Sequence, residues 1–296
     1  MAALGNAGDL ETPQLQVSRK RPSPDKKQRH MMNNIIIHAS SLADLFDCPA
    51  RWFAKNVMKR TMPSSPAAQL GTAVHAGTAL FDSMAMRGEP INTDDTVGAV
   101  VDALHDESRD VEWGDETPEK LEPIATALVR LYCEEIAPKM TYVAVEARCP
   151  ELTLDDVGIT LTGSTDRIRR DQDGTLGICD IKTGKTAVAA DGTVKTQGHA
   201  AQMAVYELLA GEAIGTPMTA PAIIIGLQSA KTAKGRRCGL GAITGAVDLL
   251  LGTEENPGLL QVAGQILKSG TFYGNARSSL CSEKFCPVYN SCFWRS

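Results

Sequence analysis

The sequence predicts an α/β fold, in which a mixed central sheet is flanked by helices, with an N-terminal helical extension and a cysteine-rich C-terminal tip. Changes in the spacing of apolar residues indicate this fold. Helical spacing extends from about residue 40 to residue 137, alternation with a period of two begins at Tyr142, and helical spacing returns after residue 198 before one more apolar strand. This order is typical of one sheet covered by helices.

The first half of the chain is expected to be helical. Ser41 precedes Asp44 by three residues, which is capping-box spacing and predicts the start of an amphipathic helix in HASSLADLFDCPARWFAKNV. A second helix is expected from about Ala67 to Met86. Two further helical stretches are expected near residues 93–108 and 117–136, after the breaker Gly-Glu-Pro that follows the second helix.

Three consecutive strands follow, in the segments YVAVEARCPEL, GITLTGSTDRIRRD and TLGICDIKTG. The residues around Asp173-Gly174 predict a turn that pairs the second strand with the third. The apolar run Ala222–Leu227 predicts one more strand, covered on both faces. Helices are expected near Ala242–Leu251 and Leu259–Lys268 in the last part of the chain.

Length and composition predict one domain with extensions. A chain of 296 residues with 43% hydrophobic content can bury one sizeable core. We expect a disordered, charge-rich tail at residues 1–33 and a single domain at residues 34–296. Within this domain, the helical part is expected at 40–137, the core at 141–230, and the C-terminal helices with the cysteine tip at 240–296.

Charge and hydropathy narrow the class of protein. No apolar run approaches the length of about 18 residues that a membrane helix needs, and the N-terminus has no apolar signal core. We therefore expect no membrane partner and a cytoplasmic location. The net charge of −5 argues against bulk coating of nucleic acid. However, acidic residues crowd positions 94–122 and a basic cluster lies at 231–237, so a local groove with positive potential remains possible.

Two acids and a lysine form the first chemical pattern. Asp180 and Lys182 lie two residues apart on the third strand, so they share a face about 7 Å apart. Asp166 on the second strand would lie beside them if the two strands pair. Such a set could bind Mg²⁺ and place an ammonium near a phosphate. The alternative is ordinary charged residues on a solvated face, and the pattern alone leaves both interpretations open, although the apolar Cys179 and Ile181 favour a partly buried site.

Five ordered motifs resemble one family. GSTDRI, DIKTGK and QMAVY resemble the successive motifs GxxDRID, (D/E)xKTG and QxxxY of the RecB-like branch of the PD-(D/E)XK nuclease superfamily. GTAVHAG resembles the upstream histidine motif, and SSLADLFDCPARWF resembles the N-terminal helix motif. The resemblance covers about residue 40 to the C-terminus. It implies a PD-(D/E)XK, restriction-endonuclease-like core that hydrolyses phosphodiester bonds with a divalent metal.

The resemblance also implies roles for single residues. The implied ligands of Mg²⁺ or Mn²⁺ are three side chains and one backbone carbonyl: His75, Asp166, Asp180 and the carbonyl of Ile181. Lys182 would orient the attacking water and stabilise charge on the phosphate, while Gln202 and Tyr206 would reach the DNA backbone or hold Lys182 in place. From the residues alone, we would interpret His75 and Tyr206 as packed residues and Gln202 as a polar residue on the surface of a helix. Glu146, on the first strand, is expected to point outward rather than to join the site.

A second metal site is expected at the C-terminal tip. Three cysteines within one short segment, one of them followed by proline, indicate metal ligation rather than core packing. The resemblance supplies a fourth thiolate and implies a [4Fe-4S] cluster held by Cys48, Cys281, Cys286 and Cys292, as in several RecB-like nucleases. Glu283 stands where those relatives place a cysteine, so a structural Zn²⁺ remains the alternative. The other cysteines are expected to be buried thiols.

We therefore expect a metal-dependent DNA exonuclease of bacterial or phage origin that acts in recombination, repair or end processing. The expected partners are DNA and a recombinase, helicase or annealing protein. The alternative is a catalytically inactive or partner-dependent DNA-binding subunit of a helicase–nuclease or integration complex.

Overall fold

The computed structural model describes residues 35–295, and the tail predicted at residues 1–33 lies outside them. The α-helices of the described range are α1 (Leu42–Asp47), α2 (Pro49–Asn56), α3 (Pro66–Arg87), α4 (Thr93–Leu104), α5 (Pro118–Glu135), α6 (Ala200–Ile214), α7 (Ala246–Leu251) and α8 (Leu259–Ser269). The strands are β1 (Ile35–His38), β2 (Tyr142–Arg148), β3 (Leu152–Leu154), β4 (Ile159–Thr162), β5 (Ser164–Arg170), β6 (Leu176–Gly184), β7 (Ala222–Gln228) and β8 (Arg237–Ile243). None of these helices is long and apolar enough to cross a membrane.

The main sheet has five strands in the order β2-β5-β6-β7-β8. Strands β6 and β7 are parallel and the other neighbours are antiparallel, so the predicted mixed sheet flanked by helices is confirmed. The predicted turn between β5 and β6 is present, since the Asp171 N–H donates to the Thr175 carbonyl at 2.9 Å and the Gly174 N–H to the Asp171 carbonyl. This hairpin brings Asp166 on β5 beside the strand that carries Asp180.

Helices cover both faces of the main sheet. One layer, with α6, packs against Ile178 and Ile224, and the opposite layer, with α3, α4 and α5, packs against Cys179 and Ile181. Neighbouring side chains of a strand point to opposite faces. Asp180 therefore shares the α6 face of β6 with Ile178, while its neighbours in sequence belong to the other layer.

A second sheet of three strands, in the order β1-β4-β3, divides a segment that the sequence predicts as one strand. The predicted strand GITLTGSTDRIRRD is split at Gly163 into β4 and β5, which belong to different sheets. A Cβ at Gly163 would lie 3.1 Å from the Tyr206 ring and 3.3 Å from the Ala39 Cβ. Because the chain passes α6 this closely, a larger residue would crowd these neighbours at the point where the chain changes sheets.

The prediction of one continuous N-terminal helix that starts at a Ser41 cap is wrong. Ser41 provides no capping bond, because its hydroxyl donates to the His38 carbonyl at 2.9 Å, and α1 begins at Leu42. The helix then breaks at Cys48, which is extended at φ −151°, before Pro49 starts α2. A proline disfavours helical backbone in the residue before it, which explains the break.

The predicted helix at Ala242–Leu251 also begins later than expected. Residues Arg237–Ile243 form the edge strand β8, and α7 starts only at Ala246, after Gly245 in the left-handed region. Gly239 and Gly241 weaken the strand signal in the sequence of β8, because glycine is depleted in strands. Their missing side chains leave room for the loop that follows β6, as a Cβ at either position would lie within 3.1 Å of a Val194 methyl group.

Candidate metal centre and cysteine pocket

The predicted acids and lysine meet where β5 and β6 separate. The paired register of these strands ends at Arg167 and Cys179. Beyond it, the Ile181 N–H donates at 2.8 Å to the Asp166 carboxylate rather than to a backbone carbonyl of β5. The side chain of Asp166 thereby fills the gap between the strands and reaches the backbone of β6.

His75 approaches the same point from α3. Its Nε2 atom lies 2.9 Å from the Ile181 carbonyl oxygen, and its Nδ1 atom lies 3.5 Å from Asp166 Oδ2. The Ser65 hydroxyl caps the start of α3 by accepting from the Ala68 N–H, and Pro66 occupies its first turn, so the helix is fixed well before the histidine. The structure thus brings together one imidazole, one carboxylate and one backbone carbonyl.

Asp180 and Lys182 complete the expected set on β6. The carboxylate of Asp180 is only 2% exposed, and Lys182 Nζ lies 2.5 Å from its Oδ2 atom. Burial raises the pKa of Asp180 to about 6, and the charge of Asp166 adds to this rise, whereas Lys182 and His75 oppose it. Two carboxylates that repel each other in a partly buried place are well suited to share a divalent cation, which prefers carboxylate oxygens.

Glu146 joins this group, contrary to the outward position expected from the sequence. One potential ligand atom from each of His75, Glu146 and Asp166 lies within 4.8 Å of the others. Arg167 Nη1 donates to Glu146 Oε1 at 3.2 Å. Burial raises the pKa of Glu146, the charge of Asp166 raises it further, and the charge of Arg167 opposes the rise. The alternation of β2 gave no sign of this position, because the strand is irregular there.

A buried network of hydrogen bonds joins the elements that carry the residues of the centre. Arg167 is fully buried and donates through Nε to Asp82 Oδ2 at 2.6 Å and through Nη2 to the Thr78 hydroxyl at 3.2 Å. The Tyr132 hydroxyl donates to the same Asp82 oxygen at 2.6 Å. The network links α3, α5 and β5, so it fixes the backbone between Asp166 and the helix that carries the histidine.

Gln202 and Tyr206 lie one turn apart on α6. Gln202 Nε2 donates to the Tyr206 hydroxyl at 3.0 Å. Burial raises the pKa of Tyr206 to about 12, and the charges of Asp180 and Asp166 add to this rise, which places the ring near the acids. Among residues 35–295, no hydrogen bond joins either side chain to Lys182. Both roles expected for this pair, contact with the DNA backbone and support of Lys182, remain predictions.

The four expected cysteines line one pocket between the two ends of the described chain. Its walls come from the α1–α2 junction and the C-terminal tip, and the cysteines in them are Cys48, Cys281, Cys286 and Cys292. The Asn275 N–H donates to the Cys48 sulfur at 3.4 Å. Burial and the neighbouring thiols raise the pKa of Cys286. The donor set and the amide directed at sulfur fit a thiolate-bound metal group.

Further contacts close this pocket. The Ser278 hydroxyl donates to Asp47 Oδ2 at 2.6 Å, and Asn275 Nδ2 donates to the Asp47 carbonyl at 2.9 Å. Phe53 and Phe272 stack with ring centroids 4.3 Å apart. The tip is therefore joined to α1 and α2 by polar and apolar contacts besides the thiols.

Comparison with known proteins identifies one family, and the solved structures that match include the following two. The family model of the PD-(D/E)XK nuclease superfamily matches residues 37–293. The structure of SSO0001 aligns with 92% of this chain and 94% of its own, at 13% identity and a TM-score of 0.41. A protein named as an exonuclease from Eubacterium rectale aligns with 85% of this chain and 86% of its own, at 15% identity and a TM-score of 0.42. No curated protein sequence matches the chain.

Proposed function

The chain belongs to the PD-(D/E)XK nuclease superfamily, and from this premise we propose that it is a divalent-metal-dependent deoxyribonuclease that degrades DNA from an end. One observation carries the proposal. His75, Asp166 and the Ile181 carbonyl converge at the separation of β5 and β6, and the Asp180–Lys182 pair lies on the same strand. This arrangement offers oxygen and nitrogen ligands together with an ammonium.

The proposed chemistry is the hydrolysis of a phosphodiester bond. When bound, the cation would polarise the phosphate and make a bound water more acidic; His75, Asp166, Asp180 and the Ile181 carbonyl would hold it. Lys182 donates to a non-bridging phosphate oxygen and orients the water whose oxygen forms the new bond to phosphorus. The bond from phosphorus to the bridging oxygen breaks, the attacking water releases a proton to solvent, and the leaving oxygen takes up a proton from solvent. The ion pair with Asp180 keeps the ammonium of Lys182 in place.

We further propose that the cysteine pocket holds a [4Fe-4S] cluster with a structural role. Its support is that four cysteines from segments more than two hundred residues apart line one pocket, with an N–H directed at one sulfur. Metal and sulfide analysis of anaerobically purified protein should find about four irons per chain, with broad visible absorption that reduction bleaches. Zinc in place of iron would identify the alternative, a structural tetrahedral site.

The nuclease proposal is tested with end-labelled DNA. The anaerobically purified full chain is incubated with linear and covalently closed circular DNA, single- and double-stranded, with Mg²⁺, Mn²⁺ or EDTA. We expect degradation of linear DNA that needs the cation and is lost in Asp180→Asn. Lys139→Ala is the matched control, because this exposed lysine precedes β2 at the end of that strand away from the centre.

The circular substrates separate the modes of cleavage. Linear DNA degraded while circles survive supports the exonuclease, whereas cut circles would show endonuclease activity and overturn the exonuclease assignment. Absence of cleavage on every substrate, from protein that retains its metal group and binds DNA, would overturn the proposal in favour of a binding or partner-dependent subunit.

A further inference from the structure

Glu146 lies directly across from Asp166 in the main sheet. Strands β2 and β5 pair Val145 with Arg167 and Ala147 with Thr165, so the antiparallel register sets Glu146 opposite Asp166. Like charges directly opposite each other on neighbouring strands destabilise a sheet. Glu146 and Asp166 nevertheless occupy opposed positions on β2 and β5, next to the centre.

The backbone of Glu146 is also held in an unfavourable conformation. Its φ is +48°, in the left-handed region, and the other non-glycine residue of the described chain with this feature is Lys59. Such a conformation is unfavourable in a residue with a Cβ and persists where surrounding structure imposes it. Here it breaks the alternation of β2 and turns the carboxylate of Glu146 toward His75 and Asp166.

The buried guanidinium of Arg167 keeps the carboxylate of Glu146 at this position. Arg167 Nη1 donates to it at 3.2 Å, and the guanidinium is itself anchored by Asp82 and Thr78. The carboxylate nevertheless remains about half exposed, whereas the guanidinium is fully buried. Glu146 can therefore turn toward a solvated ligand while Arg167 stays in place.

We propose that a divalent cation binds between His75, Glu146 and Asp166, so that Glu146 is a ligand in addition to the set implied by the family motifs, with Arg167 as its positioning residue. The inference rests on the proposed function, since it concerns the same centre. Carboxylates and an imidazole suit Mn²⁺ and Mg²⁺, and the three ligand atoms lie within 4.8 Å of one another. The cation would offset the repulsion between the two opposed acids.

Calorimetric titration of the DNA-free full chain with Mn²⁺ tests this inference without any measurement of cleavage. Glu146→Gln keeps the size of the side chain and an oxygen that accepts from Arg167, but removes the charge. We expect its Mn²⁺ affinity to fall at least about tenfold, because even residues that only support metal ligands contribute this much. Glu151→Gln, at an exposed position just beyond β2, is the matched control and should bind as the wild type does.

The comparison with Asp166→Asn separates this inference from the proposed function. If Asp166→Asn loses Mn²⁺ while Glu146→Gln binds like the wild type, the inference is overturned and the nuclease centre stands. A folded wild-type chain that binds no Mn²⁺ would overturn both. Thermal melts of the metal-free proteins verify folding. If Glu146→Gln fails to fold, Glu146→Asp keeps the charge one methylene further from the centre and should also bind Mn²⁺ more weakly; unchanged affinity in that variant would equally refute the ligand role.

Discussion

Glu207 on α6 provides a test of how burial controls stability. Its side chain is 8% exposed, and none of the hydrogen bonds or ion pairs among residues 35–295 involves it. Burial alone raises the pKa of this carboxyl from 4.5 to about 7. Glu207→Gln should therefore stabilise the protein, because the amide has nearly the same size and never becomes charged.

The sign and size of the effect follow from proton linkage. The folded pKa is above the unfolded value, so the fold favours neutral Glu207 and loses stability as pH rises from 4.5 through about 7. One unit of pKa corresponds to about 1.4 kcal/mol, so the loss reaches roughly 3 kcal/mol when ionisation is complete. Glu207→Gln should match the wild type near pH 4.5 and exceed its free energy of unfolding by about this amount near pH 8.

Urea denaturation followed by circular dichroism at several pH values measures this difference. Subtracting the wild-type curve removes the contribution of every other titrating group that the two proteins share. Glu212→Gln, an exposed position on the same helix, should show no such rise. A difference that stays constant with pH would assign the effect to packing, and one that shrinks as pH rises would refute the reasoning.

Three other substitutions test the network, the cysteine pocket and the centre. Asp82→Ala leaves the buried guanidinium of Arg167 without its buried acid, with only the half-exposed Glu146 as partner, and should lower the free energy of unfolding by about 3 to 5 kcal/mol in thermal melts, whereas Glu89→Gln in an exposed ion pair should leave the melt unchanged. Cys286→Ala should lower both the bound metal and the melting temperature, since a ligand that ties distant segments contributes folding free energy; an unchanged melt would contradict this. Lys182→Ala should abolish cleavage but retain DNA binding by fluorescence anisotropy, and full activity would refute its assigned role.

The sequence predicted the elements whose signal is local. Helices α3, α5, α6 and α8 lie within a few residues of the expected bounds, because each combines helical spacing with a breaker at its end. The hairpin between β5 and β6 was predicted from its turn. Strand β1 was missed because its partner, β4, lies more than a hundred residues away, and no local pattern reports such a pairing.

Glycines account for the other differences in the fold. Gly163 stands inside a continuous alternating pattern, yet the chain changes sheets there, where a side chain would crowd the Tyr206 ring. Gly239 and Gly241 weaken the strand signal of β8, although they are required by the loop that packs on that strand. In each position, the requirement for glycine comes from a distant neighbour, which the local sequence does not reveal.

The residues of the candidate site also differ in whether the local sequence or only the fold reveals them. Asp166, Asp180 and Lys182 were proposed as a site from their order and spacing, whereas the role expected for His75 depended on the family resemblance. Glu146 was expected to point outward because strict alternation was assumed along β2. Its positive φ, together with the register that opposes it to Asp166, exists only in the folded chain.

The features of the centre that cost stability are the same ones that would favour the proposed cation. Asp180 is buried against the charge of Asp166, Glu146 opposes Asp166 across the strands, and its backbone is strained. Lys182 and Arg167 offset part of this negative charge, but Lys182 is already paired with Asp180, and Arg167 with both Asp82 and Glu146. A ligand that binds only the folded state stabilises it by mass action, and a divalent cation here would also relieve repulsion already present in the metal-free chain. Saturating Mn²⁺ should therefore raise the melting temperature of the wild type more than that of Asp166→Asn, because Asp166 is the carboxylate common to every repulsive contact in the centre.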